Sequence, residues 1–138
     1  MTSSFNFKGT KSPNILKILE TADIHLGHQR TPSESTLEAL DRVINPKTLK
    51  DLDVLLIAGD FFDHLLQFPD DRVLKIEAWV CQLLLLCKKF DVVLRVLEGT
   101  GSHDCKQSRI FVNLNSSAAI NADVKYIDKI SVEVIERF

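Results

Sequence analysis

Val92-Val93-Leu94-Arg95-Val96-Leu97 runs straight into Glu98-Gly99-Thr100-Gly101-Ser102-His103-Asp104. An apolar run of strand length gives way at once to small and ligand-type residues. The chain does the same twice upstream. Ile15-Leu16-Lys17-Ile18-Leu19 leads into Asp23-Ile24-His25, and Val54-Leu55-Leu56-Ile57-Ala58 leads into Gly59-Asp60. Three strand ends of the same character point to one site built along one edge of a sheet.

The segments between these runs read as helices. Asn14 to Thr21 is the first expected strand, with both faces covered because it holds few polar residues. After a loop over Ala22 to Ser35, Ser33 or Ser35 is expected to cap a helix, with Glu38 completing a capping box. Leu37, Leu40, Val43 and Ile44 supply its core stripe, and Pro46 ends it, leaving a short turn or helix to Leu52. Strand Val54 to Ala58 is followed by a loop from Phe61 to Pro69 with exposed-looking apolar residues. Asp70 or Asp71 caps a long helix to about Lys89, whose apolar positions Val73, Ile76, Val80, Leu83, Leu84 and Cys87 recur at helical spacing, with Trp79 at the edge. Asp91 to Leu97 is the third strand, and Gln107 to Leu114 a short helix. Ala118 to Ala122 is ambiguous, and Val124 to Ile127 and Ile130 to Ile135 read as strands, in hairpin form around Asp128-Lys129. The alternation of strand and helix predicts an α/β fold with right-handed crossovers and a mostly parallel sheet flanked by helices.

Composition sets the bounds. The 138 residues suit one domain, with Met1 to Pro13 expected as a mobile lead-in and 14–138 as the folded part. Hydrophobic content of 45% and charged content of 26% are those of a globular protein. A formal net charge of −2 supplies no global field toward nucleic acid or an anionic membrane, so any phosphate affinity must be local. Cys81 and Cys87 sit in an apolar helical pattern and read as buried thiols of a reducing compartment, while Cys105 neighbours the candidate site as a bystander open to oxidation. The Ser/Thr/Lys-rich start has no signal-peptide core, and no apolar run is long enough for a membrane span. A cytoplasmic location is expected, with a nucleoid-associated or virus-infected-cell setting also open.

Ligands of open α/β sheets bind beyond the carboxyl ends of the strands. Asp23, Asp60 and His103 all fall at such ends. Asp23 and His25 are two apart, which on extended backbone aims both side chains one way. A carboxylate beside an imidazole suits manganese, iron or zinc. Gly59 allows a tight turn, and Asp60 can bridge two cations with its two oxygens. Metals about 4 Å apart clamp a phosphoryl group and activate water, and an imidazolium at His103 can protonate the leaving oxygen. Taken singly, each pattern is weak: an Asp in a turn, a helix cap, a surface His. Order, strand context and spacing together favour the site.

These residues carry a resemblance. Asp23-Ile24-His25, Gly59-Asp60 and Gly101-Ser102-His103-Asp104 resemble the first three motifs of the calcineurin-like metallophosphoesterases. Thr21-Ala22-Asp23-Ile24-His25-Leu26-Gly27 and Ala58-Gly59-Asp60-Phe61-Phe62-Asp63 look like those of SbcD-type nucleases, the DNA repair and recombination subunits that partner an SMC-like ATPase. The resemblance covers roughly Asn14 to Asp104. It implies the N-terminal half of a two-sheet sandwich flanked by helices. It further implies two divalent metal ions, manganese first, held by Asp23, His25, Asp60 and Ser102, with His103 as proton donor. Asp63 and Asp104 would support those ligands from behind or face the substrate. His28 and His64 match no ligand position and read as loop residues, with substrate contact the lesser option.

Two departures follow. Ser102 stands where relatives carry a coordinating Asn, so a second metal would be held weakly or through water. No His follows His103, whereas relatives supply further His ligands later. The expectation is therefore an N-terminal part that takes its remaining ligands from a C-terminal half or companion chain. Implied partners are DNA and the ATPase, with a homodimer possible and no membrane. An apolar face left by the missing half is expected to drive self-association. A generic metallophosphatase and a catalytically incomplete scaffold are the alternatives.

Overall fold

Strands β1 (Ile18–Thr21), β2 (Val54–Ala58), β3 (Val93–Leu97) and β4 (Val124–Ile127) pair in that order, every pair parallel. The computed structural model describes residues 11–67 and 70–137. Helices α1 (Ser33–Val43), α2 (Pro46–Leu49), α3 (Asp71–Lys89) and α4 (Ile110–Ser117) fill the crossovers, with a 3₁₀ turn at Gln107–Arg109. Strands added successively in one direction by right-handed crossovers place their helices on one face. Accordingly α3 packs against both α1 and α4.

The register explains which residues form the core. Leu19, Leu55, Leu94 and Val124 lie side by side, as do Thr21, Ile57, Val96 and Tyr126. The apolar members of these rows meet Ile76, Val80 and Leu84 of α3 and Phe111 of α4 beneath the helices. Phe61, just past β2, is wholly buried and stacks near Phe62, Trp79 and Phe111 at ring-centre distances of 5.1, 6.1 and 5.1 Å. Burying each such ring contributes roughly 1.5–3 kcal/mol. This anchors the loop after β2, and with it Asp60, to α3 and α4. Phe61, Phe62 and Leu66 are therefore core residues rather than the exposed loop residues expected; Leu65 is exposed as expected, and 68–69 lie outside the described residues.

The other sheet face carries Val54 and Val93 in one row and Glu20, Leu56, Arg95 and Lys125 in the next. No helix covers it. Residues 128–137 cross it instead. Glu133 accepts two hydrogen bonds of 2.7 Å from the buried Arg95 guanidinium and one from Lys125, and Arg137 pairs with Asp53 and Asp91. The expected strand and hairpin over Ile130 to Ile135 are absent: the segment makes no ladder and is held by the ion pairs of its inward side chains instead. Ile130, Val132 and Val134 point outward, almost fully exposed.

Other expectations need correction. β1 begins at Ile18, and Ile15, Leu16 and Ile18 are exposed because β1 is an edge strand. No capping box forms at α1. Ser33 is its first residue, and its buried hydroxyl accepts the Gly27 N–H at 3.1 Å. Val43 is exposed, whereas Leu37 and Ile44 are buried. Asn45 caps α2 and Asp70 caps α3 as the sequence suggests. Cys87 is buried, its thiol pushed up to about 12 by burial, but Cys81 is only half-buried. Most of the expected lead-in, 1–10, lies outside the described residues. Lys11 is not loose, since its ammonium donates to the carbonyls of Phe90 and Asp91 at 2.7 Å. Among the described residues no helix is long and apolar enough to cross a membrane.

Candidate metal centre

The loops after β1, β2 and β3 meet at one mouth. The backbone N–H groups of Asp23, His25 and Leu26 donate to the carbonyls of Gly59, Asp60 and Phe61 at 3.2, 3.0 and 2.9 Å. The first two loops thus run on as a ladder beyond their strands. Asp23, His25 and Asp60 all adopt left-handed backbone, with φ of 54°, 54° and 51°. Extended backbone therefore does not aim Asp23 and His25 together; the inter-loop hydrogen bonds do. Such conformations cost of order 1–3 kcal/mol each and gather at functional sites.

The loop after β3 approaches so closely that only glycine fits. A Cβ on Gly99 would stand 2.9 Å from Asp104 Oδ2 and overlap the Asp60 backbone nitrogen and carboxylate. Gly59 has φ of 92°, and a Cβ there would lie 2.9 Å from Gly99 Cα. Asp104 ties the two loops. Its wholly buried carboxylate accepts N–H groups from Asp60 and Phe62, each at 2.9 Å, and from Gly99 at 2.7 Å. Charge-assisted bonds of this kind hold the mouth in shape.

Asp60 is fixed in turn. Its Oδ1 accepts the Thr100 N–H at 2.6 Å; its Oδ2 accepts the Thr100 hydroxyl at 3.2 Å and faces His103 Nδ1 at 3.3 Å. Burial pushes its carboxyl up, but the bonds from Thr100 and His103 prevail and hold it below the ordinary carboxylate range. As an ionised acceptor it takes the Nδ1 hydrogen of His103. That leaves His103 Nε2 for a substrate oxygen or an ion.

Ligand atoms of His25, Asp60 and His103 all lie within 4.8 Å of one another. The two imidazoles meet edge to face, 4.7 Å between centres. Asp23, with an exposed side chain, reaches His25 Nε2 to 3.9 Å. On the far side of that ring, Asp63 Oδ1 lies 3.5 Å from Nδ1, a buried nitrogen with no hydrogen bond. This donor set fits a divalent metal: an ionised carboxylate, two imidazoles, a further carboxylate, and an imidazole nitrogen still short of a partner. With an ion at Nε2, the Nδ1 hydrogen faces Asp63, the usual way a carboxylate orients a ligating His. Asp63 is itself held below the ordinary range, first by its hydrogen bond from His64 at 3.2 Å and then by the surrounding imidazoles.

Each sequence-derived site residue can now be placed. His25, Asp60 and His103 stand together, Asp23 lies exposed beside His25 and outside that trio, Asp63 lies behind His25, and Asp104 braces the loops from below. Ser102 is exposed, and its hydroxyl makes no hydrogen bond with any described residue. Cys105 is half-buried, its thiol donating to the Gly101 carbonyl. Thr100 lies inside the motif but is not legible as a site residue from the sequence, because a Thr in a Gly-rich turn carries no distinctive signal.

A family model described as calcineurin-like phosphoesterase matches residues 16–135. The DNA double-strand break repair protein Mre11 of Methanopyrus kandleri is 36% identical over 53 residues, a stretch covering 36% of this chain and 12% of that protein. No solved structure gives a significant match. With nearly the whole chain under the family model, and the mouth of its sheet holding acid and imidazole donors, the chain belongs to the calcineurin-like phosphoesterase family.

Proposed function

We propose that this domain is the metal-binding part of a manganese-dependent phosphodiesterase acting on DNA. The reading is carried by one observation: His25, Asp60 and His103, from three separate loops, bring ligand atoms within 4.8 Å at the strand ends. The local likeness to Mre11 favours a nuclease over a general phosphatase. Bound divalent ions supply Lewis-acid charge for the phosphoryl oxygens. The chain does the rest. Asp23, His25 and Asp60 would hold the ions, and Asp63 would orient His25. Thr100 keeps the Asp60 carboxylate still, and His103, in its imidazolium form, would pass a proton from Nε2 to the leaving oxygen.

Asp23, His25 and Asp60 would supply three donor groups, which with water suffice for one ion and leave His103 for the proton. A second needs more than the described residues bring to this mouth, and we assign those donors to a companion chain or a further segment. An SMC-like ATPase and a second copy of the chain are the remaining proposed partners, and the intracellular settings set out above remain the proposed location. The test compares hydrolysis of a DNA oligonucleotide, bis(p-nitrophenyl) phosphate and p-nitrophenyl phosphate in manganese. Preference for the diesters, lowered about 10²–10⁴-fold by His103→Ala, is expected. Preference for the monoester would select the phosphatase alternative. Neither hydrolysis nor manganese uptake would select the scaffold, which is favoured by Ser102, exposed and without a partner among the described residues, and by the lack of a His after His103.

A further inference from the structure

The geometry points to a second phosphate-binding position beside the metal cluster, in a groove of about 470 Å³ lined by His28, Gln29, Arg30, Asp63 and His64. It rests on the phosphodiesterase reading and names the substrate: a polynucleotide, whose next backbone phosphate the groove would hold while the scissile one lies at His25, Asp60 and His103.

The groove and the cluster share a wall. Asp63 turns Oδ1 toward His25 and Oδ2 toward His64. A chain leaving the cluster on this side passes directly into the groove. Its free polar groups are donors. His28 Nδ1 accepts the Arg30 backbone N–H at 3.2 Å, so a neutral His28 ring carries its hydrogen on Nε2. The exposed Arg30 guanidinium meets no carboxylate among the described residues. The one acid present, Asp63, is already occupied by imidazoles on both sides. A guanidinium fork beside an imidazole N–H and the Gln29 amide is a set that takes a phosphate oxyanion.

Both walls are preformed. Gly27 is held through its N–H by Ser33 and through its carbonyl by Arg72, and the His28 N–H bonds back to the His25 carbonyl at 3.2 Å. Across the groove, Gln107 donates to the His64 carbonyl at 2.9 Å and accepts the Leu66 N–H at 2.8 Å. Little ordering is then left for binding to impose.

The experiment uses the full chain in manganese and a fluorescein-labelled decathymidylate with hydrolysis-resistant phosphorothioate linkages, read by anisotropy from about 50 to about 200 mM salt. Arg30→Gln and His28→Ala, both at exposed positions, are each expected to weaken binding about five- to tenfold. Arg30→Gln should also lower the slope of log affinity against log salt by about 0.7, one phosphate contact on a single strand. A merely structural role would not change that slope. Unchanged affinity and slope in both variants would overturn the proposal, as would no binding of the unaltered chain. Manganese uptake measured alongside keeps the two readings apart. Its loss sinks the metal-centre reading, while intact uptake with indifferent variants sinks the groove alone.

Discussion

Replacing Asp104 by Asn removes one atom's charge and almost no volume, and it should cripple the centre. The carboxylate accepts three backbone N–H groups, two on Oδ2 and one on Oδ1, and is wholly buried. An Asn oriented to keep the Asp60 and Gly99 bonds turns its NH₂ toward the Phe62 N–H, donor against donor. Two charge-assisted bonds become neutral ones, at about 1 kcal/mol each, and one buried donor is orphaned at about 1–3 kcal/mol. The sum, about 3–5 kcal/mol, is a large part of the roughly 5–15 kcal/mol that holds a domain folded. At about 3–4 °C per kcal/mol for this chain length, the Tm should fall by about 10–20 °C. Near-UV circular dichroism, dominated by buried Trp79, would follow the melt. Manganese affinity should drop in the same variant, because Asp60 and Gly99 lose their common brace. A Tm within about 3 °C of the parent, with unchanged manganese affinity, would refute the bracing role.

Other consequences are as definite. Gly99→Ala forces a methyl into the Asp60 carboxylate and should lower manganese affinity at least about tenfold by calorimetry, whereas Gly101→Ala, with open space around it, should not. Asp63→Asn removes the carboxylate facing His25 and should cost about 10–100-fold in metal affinity while leaving the Tm nearly unchanged. The Glu133 carboxyl is held down to about 2 by Arg95 first and then Lys125. Its contribution is fully present above the ordinary carboxylate range near 4.5 and disappears as pH falls toward about 2. The Tm should therefore fall on acidification through that window by more in the parent than in Glu133→Gln, whose Tm is already lowered at neutral pH.

Much of the fold could be read from the chain because an all-parallel sheet announces itself. Val54–Ala58 is apolar on both faces, Val93–Leu97 is so but for Arg95, and α3 repeats its core positions over nineteen residues. Segments whose side chains answer to distant charges were less legible. Ile130 to Ile135 alternates like a strand, yet Glu133 and Arg137 commit it to Arg95, Lys125, Asp53 and Asp91. Its outward Ile130, Val132 and Val134 leave the expected self-association open to light scattering. At the site, Asp23, His25, Asp60 and His103 carried their own signal in residue type and position. Asp104 looked like one more acid in a turn. Its role depends on three N–H groups delivered by two loops, a long-range arrangement that no local pattern encodes. The left-handed backbone at Asp23, His25 and Asp60 was equally hidden, because Asp and His enter that region often enough not to stand out.

The central claim is that donors from three loops form one metal centre, and manganese titration of the full chain, followed by the free-ion electron paramagnetic resonance signal, tests it most directly. One ion per chain should be bound, with affinity reduced at least about tenfold by Asp60→Ala and by His25→Ala, in variants whose circular dichroism is that of the parent. Equal manganese affinity in the parent and both variants, or no uptake by the parent, would contradict it.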